Sequence, residues 1–180
     1  MTPTIDGLLA SDILDGIRTR PLQELRELRT SCAGVESDVS MVRRLTQGRL
    51  DIVIHEARRR SGDDVAGLLF DLPDILADDA NPARTPGARP DVRVGFPGEV
   101  GGVLVDRLEA IASPTVLSGV QHLEQGQLDE LFGRISDFEQ DLSRTRRALH
   151  ERIDAIQSEI GRRYRDGEAS VDAVLGAEGS

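Results

Sequence analysis

Two long proline-free stretches of the chain place apolar residues at alternating spacings of three and four. In the first stretch, residues 21–60, the apolar positions are Leu25, Leu28, Cys32, Val35, Val39 and Val42. The pattern then weakens at Thr46 and Arg49 and resumes at Val53. In the second, residues 120–165, the positions are Leu128, Leu131, Ile135, Phe138, Leu142, Thr145 and Leu149, with Arg152 before Ile156. This heptad spacing is typical of coiled-coil helices. The pattern predicts an all-α fold, a long antiparallel two-helix coiled coil with short accessory helices.

The remaining segments are predicted to be shorter helices, loops and ends. Residues 1–20 are an N-terminal arm or short helix, and Ser61-Gly62 ends the first coiled-coil arm. Residues 61–119 hold short helices, one of them over about 101–113, and a loop rich in proline and glycine. Residues 166–180 are small and acidic, and we expect a flexible tail.

Composition excludes several classes of partner. The net charge is −10, so general attraction to nucleic acid or to an anionic membrane surface is not expected, and a DNA-binding regulator is disfavoured. All 22 basic residues are arginine, which codon bias in a GC-rich genome explains. The single cysteine, Cys32, allows no internal disulfide and lies on the apolar seam. No signal peptide or membrane-spanning run is legible, so we expect a cytoplasmic protein.

A polar pattern accompanies the seam in both arms at a constant offset of 103 residues. The pattern reads E-x3-S-x2-R-x3-Q/H-x3-D, and its residues are Glu36, Ser40, Arg43, Gln47 and Asp51 in the first arm and Glu139, Ser143, Arg146, His150 and Asp154 in the second. At 100° per residue each set forms one stripe about 22 Å long beside the seam. The two arms therefore look like copies of one ancestral helix.

Antiparallel pairing would set each polar motif against its own reverse. Glu36 would then face Asp154, and Arg43 would meet Arg146 at a pseudo-twofold axis, where the two cations repel unless an anion bridges them. Carboxylates suit the N1–H and N2–H donors of guanine, and arginine suits its O6 and N7 acceptors. The stripe therefore has the residue types for guanines joined by phosphates. Because neither arginine lies on the seam, their replacement is expected to spare the fold.

A plainer interpretation remains open. Glu, Arg and Asp at spacings of three and four are common on the solvated faces of helices, where they form ion pairs along one helix. The competing function is accordingly a structural or adaptor coiled coil that binds no nucleotide. No metal-ligand spacing, phosphate loop or catalytic constellation is legible, so neither a metal site nor an enzyme is expected.

The repeated motif resembles the cyclic-di-GMP signature of the RsiG anti-sigma factors of actinobacteria, with nine of ten positions matching. The resemblance covers roughly residues 21–60 and 120–165, and the segment at 55–78, HEARRRSGDDVAGLLFDLPDILAD, is similar too. It implies a coiled coil that binds two cyclic-di-GMP molecules through the ten motif residues. It further implies that the liganded protein, a monomer before partner binding, holds a WhiG-type sigma factor away from RNA polymerase.

Two points qualify what the resemblance implies. His150 stands where the pattern has glutamine, and a neutral imidazole has one donor and one acceptor where an amide has two donors. Residues 63–79 are more apolar than an exposed linker needs, which leaves both contact with the partner and packing against the arms open.

Overall fold

The computed structural model describes residues 4–61 and 98–167. It contains five α-helices, which are α1 (Ile5–Leu9), α2 (Leu22–Ser61), α3 (Glu99–Ala112), α4 (Pro114–Ser118) and α5 (Gln125–Arg165), with a 3-10 turn at Val120–His122. These residues form no strand, which confirms the all-α prediction. The apolar segment at 63–79, the proline- and glycine-rich loop before residue 98 and the tail after residue 167 lie outside the described residues.

The two long helices, α2 and α5, lie side by side in opposite directions. Near one end, Arg26 of α2 donates to the Tyr164 hydroxyl, and at the other Arg60 donates to the Val120 carbonyl just before α5. The predicted seam is buried between them, including Leu25, Cys32, Val35, Val39, Val42, Leu128, Leu131, Ile135, Phe138, Leu142, Leu149 and Ile156. Each fully buried Leu or Ile contributes about 1.5–3 kcal/mol to folding. The predicted antiparallel coiled coil is therefore confirmed.

Helix α3 is fastened to α2 at both of its ends. The Asp38 carboxylate accepts hydrogen bonds from the backbone amides of Gly98 (2.9 Å) and Gly101 (3.0 Å), where the first turn of a helix has unpaired donors. A Cβ at position 98 would lie 2.6 Å from Asp38 Oδ2, so a side chain there would displace the carboxylate from this position. At the other end Arg49 donates to the carbonyls of Leu108 (3.3 Å) and Ala112 (2.7 Å). Helix α3 therefore runs parallel to α2 along one flank.

The C-terminal end of α1 contacts α5 in the same way as the C-terminal end of α3 contacts α2. Arg152 of α5 donates to the Leu9 carbonyl at 2.8 Å. Arg152 follows Arg49 by 103 residues, and Ala112 follows Leu9 by the same number. The end of α1 therefore contacts α5 as the end of α3 contacts α2, and the pseudo-twofold relation extends beyond the long helices.

Each long helix ends in a cluster of one glutamate and two arginines. We call these the arginine clamps, and they consist of Glu56, Arg59 and Arg60 in α2 and Glu159, Arg162 and Arg163 in α5. Hydrogen bonds from the two neighbouring arginines lower the pKa of each glutamate from 4.5 to about 2. The ion pairs fix the arginines in position at the helix ends.

The arginine clamps hold the turn that precedes the opposite arm. Arg60 donates to the Val120 carbonyl at 3.1 Å, and Arg163 donates to the Ile17 carbonyl at 2.9 Å. Val120 follows Ile17 by 103 residues, so the two contacts are equivalent. Each arm therefore fixes where the other begins, which sets the axial register of the pair.

Acid should weaken the fold through the arginine clamps. The folded pKa of Glu56 and Glu159 lies below the unfolded value, so their stabilisation is present above pH 4.5 and is lost as the pH falls toward 2. Chemical denaturation followed by circular dichroism should show this loss in the wild type. The Glu56→Gln/Glu159→Gln variant should be less stable at pH 7 and should lose less between pH 4.5 and 2. Replacement of exposed Glu151 by Gln is the control, and a double variant with the wild-type acid profile would contradict the assignment.

Candidate ligand-binding site

The polar stripe lies on the flank of the coiled coil away from α1 and α3. At 100° per residue, Asp38 and Arg49 project from one side of the α2 seam, and the motif residues project from the other. Because Asp38 and Arg49 hold α3, that helix covers the opposite flank. Within the described part of the chain no accessory helix lies over the stripe.

The structure divides the stripe into two clusters. The first half-site consists of Glu36, Ser40, Arg146 and His150, and it contains residues of both arms. Glu36 Oε1 accepts from Ser40 Oγ at 2.6 Å and from Arg146 Nε at 3.2 Å. His150 Nε2 lies 3.1 Å from the same oxygen, within ion-pair distance when the ring is protonated. One glutamate thus gathers groups from its own helix and from the opposite helix.

The second half-site repeats this arrangement with the arms exchanged, and it consists of Glu139, Ser143, Arg43 and Gln47. Glu139 Oε1 accepts from Ser143 Oγ at 3.1 Å, and two groups of the other arm, Arg43 Nη1 (3.2 Å) and Gln47 Nε2 (3.1 Å), donate to the same oxygen. Gln47 takes the position that His150 has in the first half-site. The structure thus brings together eight of the ten predicted residues.

The remaining two predicted residues, Asp51 and Asp154, are exposed on the outer side of each helix. They are not among the groups that meet at Glu36 or Glu139. They follow Gln47 and His150 by about one helical turn, so they continue the stripe past each half-site.

The pairing across the arms differs from the expected one. The sequence suggested Glu36 opposite Asp154 and the two arginines opposite each other. In the structure each glutamate instead forms an ion pair with the arginine of the other arm, at 3.2 Å in both cases. This register places opposite charges next to each other in a region where solvent screens them weakly. The expectation that unliganded arginines force the arms apart is therefore wrong, because both are neutralised by glutamates.

The two half-sites differ in exposure. Arg43 and Glu139 are 4% and 0% exposed, whereas Arg146 and Glu36 are 23% and 19% exposed. The second oxygen of Glu139, Oε2, is buried and accepts no hydrogen bond from the described residues. An unsatisfied buried carboxylate oxygen is costly, so this position favours an additional N–H donor. The second half-site is thus enclosed and retains an open acceptor position.

Sequence reasoning missed the groups that hold the half-sites in register. These are Asp38, Arg49 and the arginine clamps, and all but Asp38 follow the pattern R-x6-E-x2-R-R at 49–60 and at 152–163. The offset of 103 that revealed the stripe relates these two copies as well. Extending the comparison of the arms toward their C-terminal ends would have found them. Among the described residues, no group of three or more His, Cys, Asp or Glu side chains is placed to hold a metal ion.

The fold and the paired half-sites define an internally duplicated, all-helical coiled-coil protein with a site shared between its two arms. The chain belongs to the RsiG-like family, whose sequence model matches residues 12–76 and 114–178. The two matched segments each contain one arm, in agreement with the duplication. Membership supports an anti-sigma factor role with a sigma factor as the partner. No curated protein matches the chain. No helix in the described residues combines the length and apolar character needed to cross a membrane.

The difference in burial predicts different roles in stability for the two arginines. Arg43→Ala leaves the Glu139 carboxylate buried without its ion-pair partner, and should cost about 3–5 kcal/mol of unfolding free energy. Arg146→Ala disrupts a partly exposed pair and should cost about 1 kcal/mol or less. Urea denaturation followed by circular dichroism measures both.

A rescue variant tests the cause of the loss. Adding Glu139→Gln to Arg43→Ala removes the buried charge and should recover part of the stability. Equal losses for the two single variants, or no recovery in the double variant, would contradict a buried ion pair at this position.

Proposed function

We propose that this protein is an anti-sigma factor that binds two molecules of cyclic-di-GMP through its ten motif residues. In the liganded state it sequesters a WhiG-type sigma factor from RNA polymerase, without catalysis. The observation that carries the proposal is the pair of equivalent half-sites, each containing a carboxylate, an arginine, a hydroxyl and an amide or imidazole from both arms.

The chemistry of guanine matches the cross-arm ion pairs. Guanine presents N1–H and N2–H donors on one edge and O6 and N7 acceptors on another. A guanine placed between Glu139 and Arg43 can donate to the carboxylate and accept from the guanidinium, so both charges keep a partner when their direct contact is broken. The unsatisfied Oε2 of Glu139 supplies an acceptor for this donor edge. Base recognition thus replaces an existing interaction and does not require new buried charges.

The symmetry of the site matches the symmetry of the ligand. Cyclic-di-GMP carries two guanines on a ring with two phosphates, and the half-sites are related by a pseudo-twofold axis between the arms. Ser40 contacts Arg146, and Ser143 contacts the Glu139 carboxylate, so each half-site has a hydroxyl that can donate to a phosphate oxygen. Asp51 and Asp154 add an exposed carboxylate beyond each half-site. His150 retains a ring nitrogen near Glu36, so the first half-site keeps a polar group at the glutamine position.

The alternative function is an adaptor coiled coil whose polar pairs only set the register of the arms. Buried ion pairs serve this purpose in some coiled coils. Two observations favour a ligand instead. The arginine clamps already fix the register through Val120 and Ile17, and within residues 4–61 and 98–167 the buried Oε2 of Glu139 lacks the hydrogen-bond donor that a purely structural pair would require.

Titration with cyclic-di-GMP separates these functions. Isothermal titration with light scattering should give two nucleotides per monomeric chain. Arg146→Ala should weaken binding by about 1–3 kcal/mol while the fold persists, because a guanine or phosphate contact is lost. Exposed Arg144, also on α5 but turned away from the stripe, is the matched control, and Arg144→Ala should bind as the wild type does.

Two results would contradict the proposed site. One nucleotide per chain, or an obligate dimer, would exclude a complete site within one chain. An unchanged affinity in a folded Arg146→Ala variant would assign the stripe to structure alone.

The nucleotide should strengthen capture of the sigma factor. A ligand that bridges both arms favours one arrangement of the coiled coil, and a partner that prefers this arrangement binds the liganded chain more tightly. A pull-down of a WhiG-type sigma factor with and without cyclic-di-GMP measures the effect. Arg146→Ala should reduce the nucleotide-dependent part of capture. Equal capture in both conditions would remove the switching role and leave the nucleotide site without this function.

A further inference from the structure

The pseudo-twofold relation is incomplete beside α5. Helix α3 runs for 14 residues along α2, whereas α1 has 5 residues beside α5. Since Arg49 and Arg152 hold the equivalent ends of α3 and α1, the missing part corresponds to the beginning of α3. By the offset of 103, Ile5 of α1 corresponds to Leu108 of α3. Among the described residues, no helical segment beside α5 therefore corresponds to residues 99–107 of α3.

An apolar groove occupies the place of the missing helix. Its volume is about 520 Å³, and it lies between α1, α3 and α5. The apolar lining includes Ile5, Val100, Val103, Leu104, Phe138 and Leu142. Val103 is 58% exposed, which is unusual for a valine on a helix that packs against two others. The groove, defined by these six residues, is an open gap at the position equivalent to the first turns of α3.

The groove retains the group that caps a helix on the other arm. Asp141 lines it, and Asp141 follows Asp38 by 103 residues. Asp38 accepts from the first amides of α3, whereas Asp141 is half exposed and contacts Arg144 of its own helix. A helix in the groove with its N-terminus at Asp141 would therefore repeat the capping interaction of α3, and its far end would meet α1.

We propose that the groove receives an amphipathic helix of the sigma-factor partner, running parallel to α5 with its N-terminus at Asp141. This proposal rests on the anti-sigma role. The properties of α3 specify the occupant, which has a glycine at its N-cap, where a Cβ would displace the carboxylate, and apolar residues four apart, as Leu104 and Leu108 are. The groove and the half-sites lie on opposite flanks, so helix capture and nucleotide binding use separate surfaces.

The described chain does not supply this helix itself. Helix α1 begins after Thr4, whose backbone is extended and whose hydroxyl accepts from the Gly7 amide at 3.2 Å. Because of this N-cap, α1 starts at the edge of the groove and does not extend into it. Helix α3 of a second copy would already be held by its own Asp38 and Arg49. Among the described residues, neither α1 nor α3 of a second copy therefore fills the groove, and the sigma factor is the occupant that the anti-sigma role supplies.

The test compares charge placed inside and outside the groove in the full chain. Val103→Arg puts a cation in the groove with little change to the fold, because the side chain is exposed. It should weaken binding of the purified sigma factor by at least about tenfold, with cyclic-di-GMP affinity unchanged. Val116→Arg, on exposed α4 outside the groove, is the matched control and should bind as the wild type does. Asp141→Asn should weaken sigma-factor binding to a smaller extent.

A photo-crosslinking residue at position 103 identifies the occupant, with the same residue at 116 as control. Crosslinks to one helix of the sigma factor, near a glycine at its N-cap, support the proposal. Wild-type sigma-factor affinity in Val103→Arg overturns the groove assignment and leaves the anti-sigma role intact. Crosslinks between two copies of this chain, with dimers abolished by Val103→Arg, overturn it in favour of self-association. A wild-type chain that captures no sigma factor overturns both the groove and the role.

Discussion

Antiparallel packing of two copies of one helix along an apolar seam places equivalent residues on opposite sides of a pseudo-twofold axis. Every local contact made by one arm is therefore available to the other. The half-sites, the arginine clamps and the arginines that hold α1 and α3 are all expressions of this relation. A shared site arises because residues that are about one turn apart on one helix meet a glutamate from the other.

Charge pairing inside the coiled coil has a cost that the seam must offset. Glu139 and Arg43 are taken almost completely out of water, and replacing such pairs by apolar side chains is often neutral or stabilising. Their presence is therefore weak as an explanation of stability. The pair becomes understandable when the two charges serve as prepositioned recognition groups, held by Ser143 and Gln47 in the arrangement that an inserted base would meet. Under the proposed function, the ion pairs maintain the site between binding events.

The seam and the stripe could be predicted because they depend on short-range periodicity. Apolar residues at spacings of three and four identify the buried side of each helix, and the polar motif follows from the same geometry. Which residues face each other across the arms could not be predicted, since this depends on axial register. That register is set by distant contacts such as Arg60 with Val120. The start of α5 at Gln125, five residues after the predicted Val120, has a local cause, because Glu124 and Gln127 form a capping box.

For the arginine clamps, the repeated sequence pattern could be recognised, but the contacts that these residues make could not be predicted from it. Two arginines beside a glutamate one turn away are common on exposed helix faces, where they contribute little. Their role here follows from the backbone carbonyls of Val120 and Ile17, which only the folded chain brings near.

The two flanks of α5 are connected through neighbouring residues of one rigid helix. Phe138 lines the groove and Glu139 belongs to the second half-site, so adjacent residues face opposite sides of the seam. A base inserted between Glu139 and Arg43 would change the lateral position or rotation of α5 relative to α2. Because Phe138 moves with the same helical turn, the groove would change with it. Under the proposed function, coupling between nucleotide and sigma factor therefore needs no long pathway of residues. It needs a coiled coil with two arrangements, one of which both the nucleotide and the sigma factor bind more tightly than the other.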